Sequence, residues 1–258
     1  MSLTCLRIAP ASLSFAEYIW VDGTDPVPFV RSKTRIINFA EGEEVSVNSF
    51  PEWSFDGSST NQATGDNSDC ILRPVNFVRD PLRLEESYLV MCEVYDEEGN
   101  PHPSNTRSKL RKFLDTGGAK KDPWIGFEQE YTMYRGEQPL GWPEGGGYPA
   151  PQGPYYCGVG ADQISGRDLA EEHAQACLDA GIIFYGLNAE VMLGQWEFQI
   201  GYRGVEGEDA GVLNICDHVW LARWLMYRIG ESYDIEVKLD NKPVKGDWNG
   251  AGMHTNFS

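Results

Sequence analysis

The sequence predicts an α+β fold in two parts, and three observations carry that prediction. Up to about residue 103, short β-type runs alternate with turns and no helix-period pattern appears. A Pro-rich joint, Asn100-Pro101-His102-Pro103-Ser104, then interrupts the chain. Beyond it, helical stripes alternate with strand-like runs. The expected organisation is a β-rich domain over 1–103 and an α+β domain over 104–258. A chain of 258 residues is long enough for one large domain or two, with a sizeable core.

In the first part, Glu17–Val21, Thr34–Phe39 and Tyr88–Tyr95 are rich in Ile, Val, Tyr and Phe and are bounded by turn residues, as strands are. The polar stretch from Trp53 to Asp69 is too long for a simple turn, and long loops inside compact domains often carry function. In the second part, Ser104 or Asn105 can cap a helix running through Leu110, Phe113 and Leu114 to Gly117-Gly118. Trp124–Tyr134 reads as a strong strand, and the Gly- and Pro-dense 141–160 as irregular. Asp168 opens a second helix ending at Gly181, followed by a strand from Ile182 to Leu187. Ile215, Val219, Ala222, Met226 and Ile229 form the stripe of a third helix.

Composition narrows the function. With 21 Lys+Arg against 39 Asp+Glu the net charge is −18, while 41% hydrophobic and 12% aromatic residues exclude a disordered acidic tail. Such a surface repels phosphate backbones and anionic lipid heads, so neither nucleic acid nor a membrane is an expected partner. ATP remains open if divalent cations stand between carboxylates and phosphates. No run approaches the length of a membrane-spanning helix. The N-terminal MSLTCLRIAPASLSF has neither the charged and apolar regions of a signal peptide nor the Ser/Arg content of a transit peptide. Six scattered cysteines without a CxxC read as free thiols in a reducing compartment, hence a cytoplasmic protein.

Acidic residues then recur where they are chemically informative. In Phe127-Glu128-Gln129-Glu130-Tyr131, strand alternation puts both carboxylates on one face, about 6–7 Å apart at Cα. Alone, that pattern is more often a solvated face. Glu190 and Glu197 lie among apolar residues, where an unpaired carboxylate is costly to bury. Their odd separation would put them on opposite faces of a straight strand, so a shared ion requires a reversal. The spacing predicts a hairpin near Leu193-Gly194-Gln195. In Lys242–Ser258, Asn249-Gly250 and Gly252 let the backbone bend toward a ligand, and His254 follows as either a structural residue or a nitrogen ligand. Together Glu128, Glu130, Glu190, Glu197 and His254 would make a two-ion site for Mg²⁺ or Mn²⁺, as phosphoryl transfer uses.

Several segments converge on one family. Phe55-Asp56-Gly57-Ser58-Ser59, continuing through Asn67-Ser68-Asp69-Cys70-Ile71-Leu72, resembles the N-terminal signature of glutamine synthetase. Lys242–Ser258 resembles its ATP-binding signature, and Phe127–Thr132, Asn188–Gln199 and Pro151–Gly160 are similar to segments of the eukaryotic-type (class II) enzymes. The resemblance runs from about residue 15 to the last residue. It implies an N-terminal β-grasp-like domain, then a catalytic domain with a curved antiparallel sheet, here incomplete, and active sites between subunits of a ring of two stacked pentamers. It further implies ATP-dependent joining of glutamate and ammonium through a γ-glutamyl phosphate. On matching positions, Glu130, Glu190 and Glu197 would hold a first metal ion, and Glu128 and His254 a second. Asp56 would act on ammonium, although without the family it reads as a turn carboxylate bonded to Ser58 or Ser59. Asp247, Trp248, Asn249 and Gly250 would line the glutamate pocket. Glu128, Glu197, Asn256, Phe257 and Ser258 would contact the nucleotide, with Trp124 near it.

The sequence also departs from that family. It stops at Ser258, whereas the family continues, with the last carboxylate ligand, phosphate-stabilising arginines and a flap beyond this point. The expectation is a fragment or a C-terminally truncated relative, doubtful as an enzyme unaided. A non-catalytic subunit of the same kind, or a γ-glutamyl ligase for another amine, are the alternatives. Tyr202–Leu213 is longer than the family's connection, and its Glu206, Glu208 and Asp209 read as a solvated loop.

Overall fold

A computed structural model describes residues 13–40, 42–83 and 86–258; Cys5 and most of the N-terminal stretch read above lie outside them. Among the described residues no helix is long and apolar enough to cross a membrane. The chain divides into two compact units between Ser108 and Lys109.

The N-terminal unit is one mixed sheet of β1 (Leu13–Val21), β2 (Val30–Asn38), β3 (Trp53–Asp56), β4 (Asp69–Arg79) and β5 (Tyr88–Tyr95), in the order β2-β1-β5-β4-β3. β1 and β5 run parallel, and the other neighbours are antiparallel. Alternate residues of β1, Tyr18 and Trp20, join Leu72, Val90, Cys92 and Val94 in a core closed by Phe39, Phe50, Phe55 and Tyr88. Buried carboxylates elsewhere in the unit are paired, Glu17 and Asp80 with Arg83 and Glu93 with Arg107, which removes the penalty of an isolated charge. Strand β4 was not expected, because Pro74 interrupts its pattern. The ladder tolerates that proline. β3 pairs only with Asp69–Leu72, so β4 is unpaired on that side at Pro74, and the register with β5 shifts between Pro74 and Asn76.

The expected cap forms at α1 (Thr106–Asp115), where the Asn105 side chain accepts the Ser108 N–H at 3.0 Å. The C-terminal unit is then organised around β6 (Ile125–Arg135). This strand pairs antiparallel with β9 (Gln195–Gly201) and with β10 (Glu236–Lys238), β11 (Met253–Phe257) and the short β7 (Gln138–Pro139). β8 (Phe184–Ala189) completes the curled sheet by pairing with β9. Two helices, α2 (Arg167–Asp179) and α3 (Val212–Tyr233), pack against each other, against β8 and against β6 and β9. The stripe expected on α3, from Ile215 to Ile229, is buried, as are Leu169, Ala170, His173, Ala176 and Cys177 of α2. They cover Phe127, Tyr131, Trp196, Phe198 and Ile200, the apolar alternates of β6 and β9. The opposite alternates, Glu128, Glu130, Glu197 and Gln199, share the other face.

The expected reversal occurs between β8 and β9, over residues 190–194. Gly194 makes it possible, with φ +87° and a site where a Cβ would lie 2.5 Å from the Leu140 carbonyl oxygen. Gly194→Ala should therefore destabilise the protein by about 1–3 kcal/mol, from left-handed strain and overlap together. An unmoved denaturation midpoint would refute this role for the turn.

Candidate functional site

Glu130 and Glu197 are direct cross-strand partners on β6 and β9, and the hairpin returns Glu190 beside them. One carboxylate oxygen from each of Glu130, Glu190 and Glu197 lies within 4.8 Å of the others, the arrangement a shared cation requires. Each carboxyl is also aimed by a donor. Glu130 accepts the Gly252 N–H at 2.6 Å, Glu190 the Val191 N–H at 3.0 Å, and Glu197 the Gln199 side-chain amide at 2.6 Å. Burial, then repulsion among the neighbouring carboxylates, holds Glu130 and Glu190 above the usual carboxylate range. Three oxygen donors with so much mutual repulsion fit a hard divalent cation such as Mg²⁺ or Mn²⁺.

Next along the same face, His254 of β11 lies opposite Glu128, with Nδ1 3.6 Å from a Glu128 carboxylate oxygen. Asn256, one alternate further, donates to Glu128 at 2.7 Å. Trp124, Asn256, Phe257 and Ser258 border a cleft of about 310 Å³ at the end of these strands. The Asp247–Gly250 stretch approaches from the other side. Asn249 donates to Gln195 at 2.7 Å, Gln195 donates to the Gly250 carbonyl at 3.0 Å, and Gln152 donates to the Asp247 carbonyl at 3.3 Å. The Trp248 ring packs on Trp142 at 4.7 Å between centroids and stacks on Tyr148. In the N-terminal unit, Asp56 ends β3 and caps the turn that follows, accepting from the Ser58 N–H at 2.9 Å and hydroxyl at 2.6 Å. These bonds hold its exposed carboxyl below the usual range, so it stays ionised.

Several contributors act through the neighbours of the expected ligands. Gln129 faces the helices, where Arg223 of α3 donates to its Oε1 at 3.0 Å, and its amide donates to the Glu130 and Gly252 carbonyls at 2.8 and 3.2 Å. That contact pins the start of β11 against β6 from behind. Gln195 and Gln199 flank Glu197, and the alternation that puts Glu197 on the polar face puts them there too. The exposed Tyr156 hydroxyl is held above the usual phenol range, first by Cys157 and then by the charges of Glu190 and Glu197. The 202–213 segment is largely the exposed loop expected, Asp209 included, with Glu208 as the exception. Glu208 is paired with Arg203 at 2.6 Å and its side chain is only 15% exposed, although Glu206 remains exposed.

Comparison with known proteins points to one family. A family profile described as "Glutamine synthetase, beta-Grasp domain" matches residues 12–97. The chain is 53% identical over 243 residues to a glutamine synthetase of Streptomyces viridochromogenes, covering 94% of this chain and 67% of the relative. It is 52% identical over 253 residues to the chloroplastic glutamine synthetase of Chlamydomonas reinhardtii, covering 94% of this chain and 64% of that relative. It is 47% identical over 251 residues to the mitochondrial glutamine synthetase 1 of Drosophila melanogaster, covering 96% of this chain and 59% of that relative. The chain thus spans roughly two thirds or less of the length of these curated relatives.

The raised carboxyls fix the sign of a pH effect. A group whose folded-state pKa is raised contributes stability below its unfolded value, which is lost as pH rises through the folded value. Without a divalent cation, the melting temperature should therefore fall as pH rises above the ordinary carboxylate range, and Glu190→Gln should flatten that fall. Saturating Mn²⁺ at neutral pH should raise the melting temperature by about 3–5 °C, with the gain shrinking as acid returns protons to the ligands. A melt that Mn²⁺ leaves unmoved at every pH would show that the three carboxylates do not form a metal site.

Proposed function

The chain belongs to the glutamine synthetase family, and we propose that it carries the metal-, nucleotide- and glutamate-binding elements of a glutamate–ammonia ligase that uses ATP. The observation that carries this reading is the convergence of Glu130, Glu190 and Glu197 within 4.8 Å, from β6, from the turn that joins β8 to β9, and from β9. Glu128 and His254 supply the next donors along that wall. Held there, divalent cations would screen the repulsion between phosphate oxygens and the substrate carboxylate.

In this reading a γ-carboxylate oxygen of glutamate attacks the γ-phosphorus of ATP and ADP leaves, forming an acyl phosphate. Ammonia then attacks the activated carbonyl carbon and phosphate leaves. Ammonium is not nucleophilic until it loses a proton, and Asp56, exposed and ionised, suits holding that cation and taking the proton. Asp247, Trp248, Asn249 and Gly250, tied to Gln152 and Gln195, would line the glutamate pocket. Trp124, Asn256, Phe257 and Ser258 would receive the nucleotide. Family membership supports assembly as a homo-oligomeric ring of two stacked pentamers. The free thiols Cys70, Cys92, Cys157 and Cys177 fit a reducing compartment such as the cytoplasm.

The test is a coupled phosphate-release assay on the full-length gene product with glutamate, ammonium, ATP and Mg²⁺. Turnover should depend on ammonium, and Glu130→Ala should reduce it by about 100-fold or more, the upper end of losses at metal ligands and their supports. Turnover indifferent to ammonium would refute the ligase reading, and an undiminished Glu130→Ala enzyme would refute the site.

A further inference from the structure

The Asp247–Gly250 stretch lies in a part of the chain, 239–252, that forms neither helix nor strand. No ladder fixes its shape, so its backbone groups must be held from outside. Two glutamines do this. Gln152 accepts the Asn249 N–H at 2.7 Å through Oε1 and donates to the Asp247 carbonyl at 3.3 Å through Nε2. Gln195 donates to the Gly250 carbonyl at 3.0 Å through Nε2 and accepts the Asn249 side-chain amide at 2.7 Å through Oε1.

Gln195 also belongs to the carboxylate cluster. It is the first residue of β9, opposite Thr132 of β6, and is only 1% exposed. Its carbonyl accepts the Glu190 N–H at 2.8 Å, and its own N–H donates to the Met192 carbonyl at 2.9 Å. These bonds close the turn that carries Glu190, and Glu197 follows two residues later. One residue is thus built into the cluster by its backbone and into the Asp247–Gly250 stretch by its side chain. It also sets the polarity of its neighbour. Because Gln195 Nε2 is directed at a carbonyl, Oε1 is the atom left for Asn249, which presents its amide nitrogen there and keeps Oδ1 as its remaining acceptor. A hydrocarbon side chain of the same length would fill the space and do neither.

We propose that Gln195, braced by Gln152, is a positioning residue for the glutamate pocket. Its side-chain amide holds Asp247–Gly250 in the shape that receives the amino acid, at a fixed place relative to Glu130, Glu190 and Glu197. The proposal rests on the glutamate-pocket reading above. A misplacement of about 1 Å at such a site is costly, because the substrate must meet several groups at once.

The test is steady-state kinetics of the full-length gene product, with glutamate and ATP varied in turn. Gln195→Met, which keeps the length and removes both bonds, should raise the glutamate KM about 10- to 100-fold and the ATP KM by less than about twofold. The rise in melting temperature with Mn²⁺ should persist in that variant, because the carboxylate cluster still assembles. If Gln195→Met does not fold, Gln195→Asn, too short to reach both partners, takes its place with the same expected selectivity. Gln152→Ala, at a half-buried site, should give a selective rise in smaller measure. An unchanged glutamate KM, equal rises for glutamate and ATP, or loss of the Mn²⁺ effect would each overturn the positioning role. Wild-type turnover that does not depend on glutamate would instead refute the glutamate reading, and this proposal with it.

Discussion

Glu130 and Glu197 face each other across adjacent antiparallel strands, a position in which like charges destabilise a sheet. The turn then delivers Glu190 into the same space, with its carboxyl bonded to the Val191 N–H. Much of the C-terminal unit can be understood as what is needed to hold this repulsive group together. The opposite face of the same strands is wholly apolar apart from Gln129, and two helices bury it. That burial favours the strand pairing that the acids oppose. The repulsion is thus stored at a place where a cation would relieve it.

The one polar exception on the apolar face has a structural task. Gln129 ties Arg223 of α3 to the carbonyls of Glu130 and Gly252, so the helix layer and the first residues before β11 are fixed through a single side chain. Position of the acids is consequently set from both faces. In front, Gly252 and Gln199 donate to the carboxylates. Behind, Gln129 fixes the backbone from which Glu130 projects and to which His254 is joined two residues after Gly252.

Much of this was legible in the sequence, for identifiable reasons. Alternation is local, so Glu128 and Glu130 on one strand face, and the buried stripe of α3, follow from spacing alone. The odd separation of Glu190 and Glu197 demanded a reversal at a glycine, and Gly194 with its positive φ is that reversal. What spacing does not encode is which distant elements meet. Gln129 lies in a marked segment, but Arg223 is 94 residues away and nothing in the spacing names it as the partner. β4 was hidden by Pro74, because whether a proline is tolerated depends on the length of the neighbouring strand. Glu208 looked like one more acid in a polar loop until the fold supplied Arg203 as its partner.

Under the proposed function an acidic protein must receive two anionic substrates, so most of its negative charge has to lie away from them, and the order of residues along β6 allows this. On its polar face the strand presents Gly126, then Glu128, then Glu130, and β9 presents Gly201, Gln199, Glu197 and Gln195 alongside. At about 3.3 Å per residue, Gly126 and Glu130 are separated by about 13 Å. Under the proposed function a nucleotide would lie along the strands, its base on the uncharged glycine floor and its phosphates reaching cations at the carboxylates. The acids then act at one end only, where metal neutralises them, while the other end recognises shape through rings that carry no charge. In that reading charge and shape recognition are separated by a few residues of one strand, so the uncharged end could change with the carboxylate cluster left as it is.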